Sequence, residues 1–188
     1  KVFKSVDDIL RAYQTKQIHL HNRIAVLGSA LMKKDFTEEQ NKSYLITSVG
    51  KVIFNLIFPS DFPFLNEVSA GSLAGDPEVI GKDFAPRGTD LKEFIANRPV
   101  KSPFIKKDLG KIIDAIFQRY DRNGIQKTSS VLDKIKDQGF KYSTVAGLTV
   151  SLADIQEIQV SGDKEHILKA GDEKVAKIQH MYERGLLT

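Results

Sequence analysis

The stretch Tyr44–Phe58, "YLITSVGKVIFNLIF", decides the fold class. Its first residues, Tyr44 to Thr47, are apolar or β-branched and suit a short strand. The following residues suit a helix, and Thr47 or Ser48 can cap it by accepting orphan backbone N–H groups. Pro59 ends the run, because proline lacks a donor and disfavours helix in the residue before it. A strand feeding directly into a helix implies a mixed fold. Upstream, Ser5 with Asp8 three residues on opens a helix striped by Val6, Ile9, Leu10 and Tyr13. Ile18, Leu20, Ile24 and Val26 alternate with His19, His21 and Arg23, which predicts a strand with one polar face. "SALMKKDFTEEQNK" (29–42) reads as an exposed connection.

Downstream of Pro59 the pattern weakens. Gly, Pro and Ser are frequent to about residue 102, and only "TDLKEFIANR" looks helical. This predicts a loosely ordered surface excursion from Pro59 to about Ser102, its variable part at about 66–101. Order returns at "DLGKIIDAIFQRY", capped by Asp108, with Leu109, Ile112, Ile113, Ile116 and Phe117 as an apolar face. "DRNG" (121–124) predicts a turn. A second helix then opens at Thr128, turns Val131, Leu132 and Ile135 inward, and stops at Gly139 as C′ residue. The two helices predict an αα-hairpin. "STVAG" reads as a small-residue turn and "LTVSLADI" as a strand. A long helix follows, from about Lys164 to Arg184. On it Leu168, Val175, Ile178 and Tyr182 fall at heptad-like spacing, with Gly171 and Gly185 completing a packing seam. The expected class is α+β, helix-rich, with short strands, an αα-hairpin and a long final helix.

Composition narrows function by exclusion. The chain has 188 residues, 41% hydrophobic and 28% charged, enough for a core in one or two domains. No apolar run approaches the roughly 18 residues of a membrane span. There is no cysteine, hence no disulfide, thiolate metal site or cysteine nucleophile. Twenty-eight basic against 24 acidic residues leave +4, a weak excess for a dedicated nucleic-acid binder. His19 and His21 could offer two metal ligands, but no further ligand motif stands beside them and they read more simply as surface histidines. No phosphate loop, dinucleotide fingerprint or nucleophile elbow occurs. The helix pair at 108–139 could mimic a helix-turn-helix, yet Asp133 and Asp137 beside Lys134 and Lys136 suit solvent better than phosphate. A wall, spacer or docking surface is expected rather than an active site. The chain opens without Met and closes on "ERGLLT", as a piece of a longer polypeptide would.

Several long runs, in order, carry a family resemblance. They are "IHLHNRIAV", "FTEEQNKSYLITSVGKVIFN", "LGKIIDAIFQRY", "VLDKIKDQGFKYSTVAGLTVSLADI" and "KIQHMYERGLLT". In these the chain resembles the bacterial DNA-directed RNA polymerase β′ subunit, in the part after its magnesium-binding aspartates. Only Glu67 to Lys101 matches poorly. The resemblance implies a pore domain at 1–143 and the first part of a funnel domain at 144–188, truncated before the returning rim helix. These would line the secondary channel, where nucleoside triphosphates enter and backtracked RNA is extruded. Gre-type transcript-cleavage factors would dock at its rim.

The implied partners are the β, α and ω subunits, DNA template and RNA; the implied compartment is the cytoplasm, with no membrane contact. No cofactor is implied in this segment, whereas magnesium, and zinc elsewhere, belong to the full subunit. The family's NADFDGD motif is absent here, so no catalytic or metal residue is expected and the piece should be inactive alone. Candidate channel residues are Lys111, Lys134, Lys141 and Thr144. The family often has Arg or Lys where this chain has Val145, and an acidic residue where it has Leu56. The segment 137–155 would join pore to funnel. The seam of Leu168, Gly171, Val175, Ile178 and Tyr182, lacking its second arm, is expected to favour self-association. An independent nucleic-acid-binding module and a partner-docking protein are the competing readings; steeply salt-sensitive duplex binding would favour the first.

Overall fold

The computed structural model describes residues 1–86, 88–98, 101–120, 125–155 and 163–186. The chain forms two compact units, Lys1–Gly139 and Phe140–Thr188. Its class is helix-rich α+β.

The first unit is built on a four-stranded sheet in the order β1-β2-β3-β4. Strand β1 (Val2–Phe3) runs parallel to β2 (Arg23–Leu27), Val2 opposite Ala25. β2 is antiparallel to β3 (Tyr44–Ser48), with Arg23 opposite Ser48 and Leu27 opposite Tyr44. β3 is antiparallel to β4 (Phe84–Ala85). The predicted strand with one polar face is corrected in two ways. It starts at Arg23, leaving His19 and His21 in the preceding turn, and Ile24, Ala25 and Val26 are all fully buried. A strand covered on both faces loses its alternation.

Helix α1 (Val6–Gln14) buries Ile9 and Ala12. Its cap is Ser5, whose Oγ accepts from the Asp7 N–H at 3.2 Å. It ends in a Schellman turn, in which the Lys16 N–H reaches the Tyr13 carbonyl and the Gln17 N–H reaches that of Ala12. Lys16 holds the left-handed position with φ 58°, where a Cβ is unfavourable. Lys16→Gly is expected to stabilise the chain by about 0.5–1 kcal/mol, read from urea unfolding. A loss of stability would contradict this account of the turn.

The supposed connection at 29–42 is not simply exposed: Leu31, Lys33, Phe36 and Gln40 are buried. Thr37 and Gln40 form a reciprocal capping box around the short α2 (Glu38–Asn41), and Gln40 Nε2 also donates to the Pro77 carbonyl at 3.2 Å. Gly28 passes so close to this turn that a Cβ there would lie 2.2 Å from the Gln40 carbonyl oxygen. Helix α3 (Val49–Asn55) follows β3 directly, and Ser48 is the residue that caps it.

The predicted loose excursion is overturned for much of its length. Phe62, Phe64 and Leu65 are buried to 1% exposure or less. Helices α4 (Ala70–Ala74) and α5 (Pro77–Gly81) precede β4, which completes the sheet. Its punctuating residues are caps rather than disorder: Ser69 and Ser72 box α4, and Asp76 caps α5 with proline in the first turn. Helix α6 (Leu91–Asn97), capped by Asp90, is the one element of this segment visible in the sequence.

Helix α7 (Lys106–Tyr120) starts a turn's fraction earlier than expected, and Asp108 Oδ2 accepts from the Ile105 N–H rather than acting as the N-cap. Its buried stripe is Ile112, Ile116 and Tyr120; Phe117 is exposed. The predicted turn at 121–124 lies outside the described residues. Helix α8 (Ile125–Ala146) buries Thr128 and Val131. Val131 and Ile135 join the α7 stripe over Ile57, Phe58, Phe62 and Leu65 in one core cluster, whereas Leu132 is exposed. Gly139 does not stop α8, which continues through "STVA". Gly147, with φ 56°, follows its last residue instead. The Gly139 stop and the "STVAG" turn are thus corrected together: one glycine costs a helix only about 1 kcal/mol, which surrounding helix formers override.

In the second unit no strand forms at 148–155. A helical turn spans 152–155, and Asp154 Oδ2 accepts from the Ser151 N–H at 2.7 Å and from its hydroxyl at 3.0 Å. Helix α9 (Asp163–Glu183) matches the predicted long helix. It closes in a second Schellman turn, with Gly185 at φ 67°. Gly185 therefore ends the helix rather than extending its seam. No helix among the described residues is long and apolar enough to cross a membrane.

Candidate functional site

A cleft of about 340 Å³ opens in the first unit beside the β3–α3 junction. Helix α3 builds its floor. Two polar residues interrupt an otherwise apolar helix, Lys51 and Asn55, four positions apart and so on one face. Asn55 clamps the extended chain at Leu65: its Oδ1 accepts from the Leu65 N–H at 2.7 Å, and its Nδ2 donates to the Leu65 carbonyl at 2.8 Å. One residue on, the Asn66 carbonyl accepts from Lys51 Nζ at 2.7 Å.

Asn66 is the hub of the network. Its Oδ1 accepts from the Thr47 hydroxyl at 2.9 Å, and its Nδ2 donates to the Ile46 carbonyl at 2.9 Å and to Asp83 Oδ2 at 2.8 Å. The same Asp83 oxygen accepts from Lys101 Nζ at 2.6 Å, and Lys101 also reaches Glu67 at 2.9 Å. The Asp83 carbonyl accepts from the Ile46 N–H at 2.9 Å, which anchors this carboxylate to β3. Buried polar groups are tolerated when each finds partners, and this set does.

The electrostatics are uneven. Lys101 is balanced by two carboxylates. Lys51, 8% exposed, bonds a neutral carbonyl and lies with Nζ 5.3 Å from the Phe104 ring centroid. Burial and the neighbouring Lys101 cation push its pKa down against the pull of Asp83 and Glu67. Glu67 is held below the usual carboxylate range chiefly by its hydrogen bond from Lys101. Arg23 enters no ion pair among the described residues, and its buried Nη2 has no acceptor. Arg98 stacks on Phe94, 4.6 Å from the ring centroid. Phe54, Phe104, Leu20 and Pro103 complete an apolar side. The arrangement offers fixed positive charge beside an apolar, partly aromatic surface.

None of the sequence-predicted channel residues lines this cleft. Lys111 is exposed on α7 and Lys134 on α8. Lys141 and Thr144, in the second unit, are also exposed; Lys141 Nζ lies 5.9 Å from the Tyr142 ring and Thr144 bonds back to the Phe140 carbonyl. Leu168, Gly171, Val175, Ile178 and Tyr182 all lie exposed on α9. Val145 is exposed as well, and Leu56 is about half-exposed. Among the described residues no group of three or more His, Asp or Glu is placed to hold a metal ion. Lys51, Asn66, Asp83 and Lys101 went unnoticed in the sequence. The signal for Lys51 was a cation inside the apolar run "VGKVIFN"; Asp83 carried none.

Comparison with known proteins agrees with the runs quoted above. The family model for RNA polymerase Rpb1, domain 3, matches residues 1–155. The DNA-directed RNA polymerase subunit β′ of Bacillus subtilis (strain 168) is 43% identical over 187 residues. Those of Bacillus cereus (strain ATCC 14579) and Bacillus anthracis are 44% identical over the same length. Each alignment covers 100% of this chain but 15% of the relative. With most of its residues matched by the family model and its whole length aligned at this identity, the chain belongs to the RNA polymerase β′ (Rpb1) family.

Proposed function

We propose that this chain is a non-catalytic wall segment of a DNA-directed RNA polymerase. Residues 1–143 act as pore domain and 144–188 as the first part of the funnel. Together they border the secondary channel through which nucleoside triphosphates enter and backtracked RNA leaves. The observation that carries the reading is alignment to β′ subunits along the entire chain. Nucleotidyl transfer in such enzymes uses paired metal ions clamped by carboxylates. In this reading those carboxylates lie elsewhere in the subunit, and magnesium and zinc are held outside this segment.

The work of the segment is then steric and electrostatic. Exposed Lys111, Lys134 and Lys141 draw polyanionic nucleotides inward, and Thr144 borders their path. The α9 seam receives the returning rim helix, and the rim receives Gre-type cleavage factors. DNA, RNA and the β, α and ω subunits are partners of the assembly, and its compartment is the cytoplasm. The same exposed seam, left uncovered, favours self-association of the isolated chain.

The test uses the assembled polymerase with Lys111, Lys134 and Lys141 all changed to Glu. KM for nucleoside triphosphates is expected to rise about three- to tenfold at low ionic strength with kcat unchanged, and the difference to shrink in salt. An unaltered KM would refute the guidance role. Magnesium-dependent primer extension by the 188-residue chain alone would refute its non-catalytic character.

A further inference from the structure

We propose that the cleft beside β3 and α3 is a binding site for a phosphate monoester whose apolar or aromatic portion lies against Phe54 and Phe104. The proposal does not rest on the channel reading. It starts from an imbalance of charge. Arg23, Lys51, Arg98 and Lys101 line the cleft, with Asp83 as the carboxylate among its lining residues. Asp83 and Glu67 are both engaged by Lys101. Among the described residues neither Arg23 nor Lys51 enters an ion pair: Arg23 Nη2 is buried without an acceptor, and Lys51, 8% exposed, bonds only a neutral carbonyl. Cations short of both water and a contacting anion are costly, and an oxyanion seated between them relieves both.

The chemistry of the cleft selects the class of anion. A phosphate monoester carries close to two negative charges at neutral pH, against one for a carboxylate. It therefore matches two uncompensated cations better. A guanidinium offers a planar fork of donors and an ammonium three rotatable ones, and both are well suited to phosphate oxygens. The Lys51 ammonium is already fixed by its bond to the Asn66 carbonyl, so little ordering remains on binding. Beside Lys51, Phe54 and Phe104 stand with ring centroids 5.6 Å apart, edge to face. Such a surface takes a flat apolar group. The volume of about 340 Å³ is at the small end of ligand sites, consistent with a mononucleotide-sized molecule rather than a polymer.

The test is calorimetric titration of the full 188-residue chain with AMP, inorganic phosphate and acetate at low salt. AMP is expected to bind saturably and at least tenfold more tightly than phosphate, and phosphate more tightly than acetate. Arg23→Gln and Lys51→Met should each weaken AMP binding tenfold or more, while Lys169→Met, at an exposed position of α9, leaves it unchanged. If Lys51→Met fails to fold, Arg23→Gln and Arg98→Gln carry the test, and ring-proton shifts of Phe54 and Phe104 on AMP addition locate the ligand. Absence of saturable binding overturns the proposal. So does acetate binding as well as phosphate, which would mark a docking point for an acidic side chain. An equal loss in Lys169→Met would mean diffuse charge attraction only and would overturn the proposal. The channel reading fails or stands on nucleotide KM in the polymerase, so the two failures are distinct.

Discussion

Asp83→Leu is expected to cost the first unit about 3 kcal/mol of stability, the scale for removing one partner of a buried charged pair. Asp83 is 6% exposed, and one of its oxygens serves two donors, Asn66 Nδ2 and Lys101 Nζ. Without it Lys101 keeps only Glu67, which is far more exposed. The four cations of the cleft then repel one another with less to offset them, and Lys51 loses one of the two carboxylates that favour its charged form. Adding Lys101→Met should recover part of the loss, because the second change removes the charge stranded by the first. A coupling of about 1–3 kcal/mol in the double-mutant cycle is expected for such a contact. Urea unfolding of the four proteins decides the matter. A single loss below about 1 kcal/mol, or strict additivity, would show that the pair is no more than a surface contact.

Asp83 also shows where sequence reasoning stops. The strand–helix junction was legible because its signals are local. An apolar run and a Thr-Ser pair at the boundary specify β3, the start of α3 and a cap at Thr47 or Ser48 without reference to anything distant; the structure uses Ser48, and α3 stops at Asn55, short of Pro59. The long α9 was legible for the same reason. By contrast, nothing near Asp83 announces burial. Its two side-chain partners are 17 and 18 residues away, and β4 is only two residues long. A two-residue strand has no periodicity to detect, so the segment around it looked like surface chain.

The opposite error occurred at Gly139. Local rules there favoured a stop, yet α8 runs on. Gln138 Nε2 reaches the Ile53 carbonyl at 3.2 Å, so the helix is pinned to α3 immediately before the glycine. The T-x-x-Q box at Thr37 was present in the letters and was passed over because its helix is a single turn. Family membership was legible because long runs in register average over such local errors. The cleft was not, because its polar residues come from five separate segments.

The pH dependence of Lys33→Met provides the second large effect. Lys33 is 7% exposed and its Nζ donates to the Pro59 carbonyl at 3.2 Å. Burial pulls its pKa down to about 8, and the fields of Asp35 and Asp61 oppose this only in part. In the unfolded chain the same amine titrates near the ordinary value of 10.5. Below pH 8 both states hold the proton and the folded state bears the cost of a buried charge. Between pH 8 and 10.5 the folded state has released its proton while the unfolded state retains it. The unfolded state then binds more protons, so stability rises with pH across this window. The rise for this one group is up to about 3 kcal/mol at 1.36 kcal/mol per unit.

Methionine at position 33 has no such slope. The variant should therefore be more stable than the parent at pH 7, and its advantage should shrink steadily from pH 8 to 10.5. Tyr120, whose hydroxyl donates to Asp61 at 3.0 Å, has a raised pKa because of burial and that carboxylate. It keeps its proton longer in the folded state, so its contribution falls above pH 10 in both proteins and largely cancels in their difference. Unfolding free energies at half-unit steps from pH 6.5 to 10.5 give that difference directly. A flat difference would mean that the Lys33 ammonium keeps its water, and that its bond to the Pro59 carbonyl, beyond the end of α3, carries no cost of burial.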